Sequence, residues 1–396
     1  MKLRKFVSVA LLSLLLAGLI GNILLGVDMS IRVYSSSMSM PDLATIVNES
    51  MVEVPQPIAG EVVTGVIETD IFTLIRTNGG IRKSTDNWQT WSHVFNATID
   101  NRTWPVFKQM SNGWIFASAS SQRLVSKDNG DTWISLNAQL SAGINELIQL
   151  PNGTYLSSLW STDDGGLIYK SNDGENWSLF ANLTVIGQDL GWFNASDSSD
   201  RHRHAHHVHY DTTYNALIVI GGESVDTKDV AHMYYDDSSP YGDSWKLGMW
   251  TMGTELVSTP YGVFVGCDTA PDIGIWNGEE QGGKLLRVLA NNNLDKYIFR
   301  AVYKNGVLFF GTSCVYPTLY GYGLLATIDL ESYMILKVHN LQEGRYSIFD
   351  GVADNLYVIR MNVTASPDDW KLYRMRALSK HELMSFIGDS NEYENP

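Results

Sequence analysis

The sequence predicts an all-β fold, a seven-bladed β-propeller behind an N-terminal transmembrane or signal helix, and three observations predict it. Seven turn dipeptides recur along the chain, each opening a short apolar strand. A hairpin motif built on Ser, Asp and Trp repeats in the same phase. An uncharged run fills residues 6–27 behind three basic residues.

The turns set the repeat. IFTLIR follows Thr69-Asp70, WIFASAS follows Asn112-Gly113 and TYLSSLW follows Asn152-Gly153. ALIVIGGE follows Tyr214-Asn215, VFVGCD follows Tyr261-Gly262, VLFFGTS follows Asn305-Gly306 and LYVIRM follows Asp354-Asn355. Asn, Asp and Gly tolerate the left-handed backbone of tight hairpins, so turn plus alternating strand reads as a hairpin. Successive turns lie 40 to 49 residues apart, save one interval of 62, and that spacing suits four short strands per unit. The expected division is an anchor or signal at 1–30, a linker or closing strand at 31–55, the propeller at 56–380 and an acidic tail at 381–396. The long interval is assigned to an insertion in blade four, from about Val185 to Arg203.

Composition bounds the function. At 44% hydrophobic over 396 residues the chain can fill a packed core, which excludes disorder. A formal charge of −15 repels phosphate backbones, so nucleic acid is not an expected partner. Two cysteines are too few for a disulfide scaffold or a multi-cysteine zinc site. Cys267 and Cys314 end equivalent strands about one blade apart, and a disulfide between them is one reading in an oxidising compartment.

The run Phe6–Val27 is long enough to cross a bilayer core of roughly 30 Å. Lys2, Arg4 and Lys5 before it hold that end in the cytoplasm and send the rest outside, either as a single-pass protein or, if the signal is cleaved, as a secreted one. Eight N-x-S/T sequons, at Asn48, Asn96, Asn101, Asn152, Asn176, Asn182, Asn194 and Asn362, are candidate glycosylation sites on an exported surface.

The hairpin motif adds a resemblance. SKDNGDTW contains Ser126, Asp128, Gly130, Thr132 and Trp133; STDNWQTW contains Ser84, Asp86, Thr90 and Trp91, with Trp88 in place of the glycine; SNDGENW contains Ser171, Asp173, Gly174 and Trp177. A degenerate fourth copy ends at Trp245. These segments resemble the BNR or Asp-box repeats of the sialidase-like β-propellers. The resemblance implies that Asp86, Asp128 and Asp173 hold outer hairpins together and take no part in chemistry. Sialidase activity itself is not implied, since the F-R-I-P motif, the Tyr/Glu nucleophile pair and the catalytic Asp of that family have no counterpart here.

Fold-level analogy places ligands at the face where each innermost strand begins. RHRHAHHVHYD, Arg201 to Asp211, holds five of the nine histidines. On a strand His204 and His206 share one face about 6.6 Å apart, which suits one metal ion or an acid and base around one substrate. His207 and His209 then point toward another blade. Candidate catalytic groups are His204, His206, Arg300, Glu223 and Asp268; candidate substrate-binding groups are Arg76, Arg360, Trp160, Tyr316 and Tyr320. A divalent metal on His204 and His206 is the one cofactor the pattern suggests. The expected function is recognition of an anionic glycan or cell-surface ligand through a His-rich funnel, with cleavage by hydrolysis or elimination as its enzymatic form. The alternative is a non-catalytic binding or envelope protein.

Overall fold

A computed structural model describes residues 51–55, 57–96, 106–119, 122–136, 143–160, 166–189, 205–221, 231–236, 245–250, 253–267, 272–276, 278, 284–287, 296–314, 324–329, 334–337, 345–361 and 370–382. The strands sort into seven four-stranded antiparallel sheets. In six of them four consecutive strands meander outward from an inner strand. The inner strands, in order, are Val63–Glu68, Phe107–Gln109, Gly143–Gln149, Ala205–Asp211, Gly253–Thr259, Lys296–Lys304 and Arg345–Asp350. The seventh sheet takes its outermost strand from the other end of the chain: Met51–Val54 pairs with Lys371–Arg376, Met51 opposite Met375.

The first inner strand lies against the second and the seventh, the third to seventh lie against one another in turn, and Lys108 joins the second to Glu146 of the third, so the sheets come round a common axis as a β-propeller. Because the second strand of a sheet is covered on both faces, it is buried at successive positions instead of alternating. All five residues of Thr73–Thr77 and all six of Ala216–Gly221 are buried. Leu74, Ile81, Phe107 and Leu124 fill the space between the first two sheets, and Leu156, Ile168, Val208 and Val219 that between the third and fourth. Between the seventh and first sheets Ile75 packs with Tyr357, Ile359 and Leu372.

The turns follow their residues. Asn215 and Asn305 have φ of 50° and 54°, and Gly113 and Gly153 of 85° and 89°, the left-handed values that L residues other than Asn avoid. The first turn lacks glycine and is held by a side chain: Thr69 Oγ1 accepts from the Phe72 amide at 3.1 Å and donates to the Phe72 carbonyl.

The Ser/Asp/Trp hairpins share one hydrogen-bond pattern. Asp128 Oδ1 accepts from the Ser126 hydroxyl and the Thr132 amide, both at 2.8 Å, and Oδ2 from the Thr132 hydroxyl at 2.6 Å. Ser126 Oγ accepts from the Gly130 amide, and Trp133 Nε1 donates to the Gly130 carbonyl. Asp86 and Asp173 repeat the carboxylate bonds, with Asn176 standing where the others have Thr, and Trp177 repeats the bond of Trp133 while Trp91 Nε1 does not.

Asn176 Nδ2 is therefore committed to Asp173, and Asn182 Oδ1 accepts from the Thr184 amide to start the helix Leu183–Asp189, the described part of the insertion. Asn96 and Asn152 are exposed. Asn48, Asn101, Asn194 and Asn362 lie outside the described residues, as does the run 6–27. Among the described residues no helix is long and apolar enough to cross a membrane.

Candidate functional site in the axial channel

Among the described residues five inner strands carry a bulge, at Thr64, Asn145, His206, Thr254 and Phe299. A bulge inserts one residue and re-aims the next side chain. The residues after the bulges are Gly65, Glu146, His207, Glu255 and Arg300, and the last four line one axial cavity of about 490 Å³. At Gly65 a side chain would press on Phe107, whose Cδ1 lies 3.1 Å from where a Cβ would stand. Every inner strand contributes to the wall.

The four polar groups form a network with Lys108 of the second sheet. Glu146 Oε1 accepts from Lys108 Nζ at 2.6 Å, and Oε2 from Arg300 Nη1 at 2.8 Å. Glu146 belongs to the third sheet and Arg300 to the sixth, so the second bond spans the axis. His207 Nδ1 lies 3.7 Å from Glu255 Oε2, both side chains being 6% exposed. One residue pair farther along, His209 Nε2 is 2.7 Å from Ser258 Oγ, whose hydroxyl donates to Asp211.

Burial and charge set the protonation of this network. Burial opposes ionisation of Glu146, but Lys108, Arg300 and His207 outweigh it and hold the carboxyl below the usual range. Burial pushes Glu255 up to about 8, with Glu146 adding to the rise against Arg300, so it carries a proton at neutral pH. Burial holds His207 down to about 3 and His209 to about 4, leaving both imidazoles neutral. Arg300 is raised, the attraction of Glu146 and Glu255 exceeding the cost of burial.

These placements correct the sequence reading of the histidines. His206 occupies the bulge and is buried away from the cavity wall, because the inserted residue shifts the alternation by one. His207 and His209, assigned above to a neighbouring blade, line the cavity with ring centres 6.4 Å apart. His204 lies outside the described residues. Among the described residues no three His, Cys, Asp or Glu side chains are placed to hold a metal ion.

Arg300 stands in the channel as its place on an inner strand suggested; the other two arginines do not line it. Arg76 is 1% exposed on the second strand of the first sheet, its Nε donating to Thr64 Oγ1 and Nη2 to the Thr64 carbonyl. Burial, then Arg300, lowers it to about 9. Arg360 is buried on the corresponding strand of the seventh sheet. Trp160, Cys267 and Cys314 end second strands opposite Gly143, Gly253 and Lys296. Glu223, Asp268, Tyr316 and Tyr320 lie outside the described residues.

Sequence reasoning missed Glu146, Glu255 and Lys108. For the first two a signal exists: NELIQL, HHVHYD, TELVST and FRAVYK each carry an ionisable residue at their second position, near the start of the inner strand and in phase across four sheets. Lys108 sits at a different position in its strand and shares no such phase.

No family model matches the chain, and no curated protein does. Among solved structures the chain is similar to YCF48 from Cyanidioschyzon merolae, at 14% identity and a TM-score of 0.53, over 83% of this chain and 98% of that one. It is similar to virginiamycin B lyase from Staphylococcus aureus at 10% identity and a TM-score of 0.51, over 83% and 98%. The extracellular domain of the one-component system BT4673 from B. thetaiotaomicron gives 12% and 0.51, over 83% of this chain and 40% of that one. At such identities these likenesses show the β-propeller fold alone.

Proposed function

We propose that this chain is a surface propeller of seven blades, of the sialidase-like Asp-box kind, held at the membrane through residues 6–27, that recognises an acidic glycan in its axial pocket. The observation that carries the reading is the pairing at the pocket floor, where two cationic side chains, Lys108 and Arg300, share one carboxylate, Glu146. Burial opposes ionisation of the neighbouring Glu255. Arg300 uses one guanidinium N–H on Glu146, and a guanidinium presents five. Above the floor, His209 and Ser258 offer partners for hydroxyls, and Phe107 and Phe349 offer apolar wall.

The extracellular domain of a one-component system and a lyase share this fold, so the fold is compatible with an extracellular place and with chemistry in other proteins.

The test is calorimetric titration of the full chain in detergent with methyl glucuronide and with its uncharged methyl ester. The acid is expected to bind and the ester to bind at least tenfold more weakly, with Arg300→Gln removing the difference. Equal binding of acid and ester, or binding of neither, overturns the acidic-ligand reading. Retention of the full chain in carbonate-washed membranes, with the propeller open to added protease on intact cells, tests the anchor. A soluble form beginning near residue 28 overturns it.

A further inference from the structure

We infer that His209 determines which ligands the pocket accepts: its Nδ1 presents a bare lone pair that takes a hydrogen bond from a ligand hydroxyl, and Asp211 fixes that state through Ser258. This rests on the acidic-glycan reading above and adds how the sugar is read beside its carboxylate.

Strand geometry brings the three groups together. His209 and Asp211 lie two residues apart on the inner strand Ala205–Asp211, past its bulge, so they project from the same face. Ser258 stands next to the end of the neighbouring inner strand, Gly253–Thr259, and meets both. Its Oγ lies 2.7 Å from His209 Nε2, and its hydroxyl donates to Asp211 Oδ2. Asp211 is itself anchored from the turn that follows its strand, where Oδ1 accepts from the Thr213 and Tyr214 amides, both at 2.9 Å. At 1% exposed it keeps these bonds out of reach of water.

The protons of this chain fix the state of the imidazole. A carboxylate only accepts, so the single proton of the Ser258 hydroxyl is spent on Asp211. Ser258 has a lone pair left for His209, and the 2.7 Å contact therefore needs a proton on Nε2. A neutral imidazole carries one N–H, which leaves Nδ1 as an acceptor. Burial and then Lys108 keep the ring neutral against the pull of Asp211 and Glu146. His207 has no such fixing, since its Nδ1 stands 3.7 Å from Glu255 Oε2, beyond hydrogen-bond length.

Among the described residues nothing donates to His209 Nδ1, and the half-buried ring lines the cavity. An acceptor sheltered from water is satisfied only by a donor that enters with the ligand. Lys108 and Arg300 in the same cavity offer N–H groups alone, so the wall pairs donors for a carboxylate with an acceptor for a hydroxyl. An ether or carbonyl oxygen placed at His209 would set lone pair against lone pair. Sites built this way reject analogues that lack the hydroxyl, because the buried group is then left unpaired.

Two measurements on the full chain in detergent test this. Solid-state nitrogen NMR of protein labelled at histidine Nδ1 reads the tautomer at neutral pH, the His209 signal being the one lost in His209→Gln. It is expected as a single species in the position of an unprotonated Nδ1. Ser258→Ala should split it or move it toward the protonated position, and Ser258→Thr, which keeps a hydroxyl, should restore it. A protonated Nδ1 in wild type, or a signal that Ser258→Ala leaves unmoved, overturns the inference. Calorimetric titration with methyl glucuronide and with analogues lacking each ring hydroxyl in turn reads the ligand side. One analogue is expected to bind wild type at least tenfold more weakly than the parent, and His209→Phe, which cannot accept, to bind that analogue and the parent alike. Should His209→Phe melt lower than wild type, His209→Leu is measured in its place. Equal binding of the parent and every analogue by wild type, or a penalty that survives in the apolar variant, overturns this inference and leaves the acidic-ligand reading standing. Failure of wild type to bind the parent overturns both.

Discussion

Asp128 on an outer hairpin and Glu255 on an inner strand are both carboxyl groups fixed by β-turn and β-bulge geometry, yet their surroundings drive them in opposite directions. The Thr132 hydroxyl, then the Thr132 amide, hold Asp128 down to about 2 in a site that water reaches. Burial pushes Glu255 up to about 8. Each hairpin carboxylate satisfies donors within its own eight residues, so it acts alone. The channel groups satisfy one another across sheets 38 to 154 residues apart in sequence, so removing one exposes the rest.

The largest expected effect is therefore in the channel. Glu146→Ala leaves Arg300 and Lys108 without their shared carboxylate. Losing one partner of a buried pair costs about 3 to 5 kcal/mol, and the partial exposure of Lys108 puts this case near 3. Urea denaturation at pH 7 reads the loss. A change below 1 kcal/mol would mean that the Glu146–Arg300 pair adds nothing to stability and that the two regions behave alike.

Glu255→Gln should have the opposite sign and a pH signature. The folded-state value, about 8, lies above the ordinary 4.5, so folding holds a proton that the unfolded chain releases. That is neutral for stability below pH 4.5 and increasingly unfavourable as pH climbs from 4.5 to 8. The amide removes this liability, so the variant should gain on wild type across that window, on the order of a few kcal/mol at most, and hold level above it. His207 and His209 oppose it on the acid side, since their lowered values favour the folded state only while the imidazoles stay neutral. A pH-independent difference between Glu255→Gln and wild type would show that the carboxyl is ionised in the folded protein.

The same contrast explains what could be read from sequence. The hairpins were legible because their logic is local: Ser, Asp, Thr and Trp recur at fixed offsets, and the bonds they make lie within those offsets. The turns were legible for the same reason, Thr69 included once its hydroxyl is counted as the missing punctuation. The channel was not, because its partners come from different sheets, and because one inserted residue at His206 exchanges the faces of every histidine after it. Alternation along a strand predicts a face only where the register is unbroken. Arg300 was placed by its strand, while Arg76, identical in type, is absorbed by Thr64 of its own sheet.

A position inside the hairpins sharpens the comparison further. Trp88 takes the place held by Gly130 and Gly174 in the other copies and shares their left-handed backbone, φ 71° against 84° and 73°. A side chain at Gly130 would meet Leu74 Cδ1 at 2.6 Å, so only glycine fits there. At Trp88 the ring instead stacks on Tyr357 of the seventh sheet, 5.3 Å between centres, and meets Trp91 edge-on at 5.2 Å. The first hairpin thus fastens the seam where the two ends of the chain close the ring. Trp88→Gly relieves about 1 kcal/mol of backbone strain and forfeits a half-buried aromatic worth about 3, for a net loss near 2 kcal/mol. Thermal unfolding should show it; a variant as stable as wild type would reduce this hairpin to the same isolated role as the others.

The smallest effect is expected at Asp128→Ala, and its smallness is the point. The substitution removes acceptors from the Ser126 hydroxyl, the Thr132 amide and the Thr132 hydroxyl, but all three sit where water can replace the carboxylate. Loss of a capping side chain of this kind costs about 1 to 2 kcal/mol. Its pH dependence is also opposite to that of Glu255. The folded value, about 2, lies below the ordinary 3.8, so the contribution is present above pH 4 and fades as pH falls toward 2. Wild type and Asp128→Ala should therefore converge in strong acid, while wild type and Glu255→Gln diverge toward alkaline pH. Binding of the acidic probes should not change with Asp128→Ala, because the hairpin lies outside the channel wall. A variant that keeps its melting temperature and loses the ligand would move the site from the axis to the rim of the propeller.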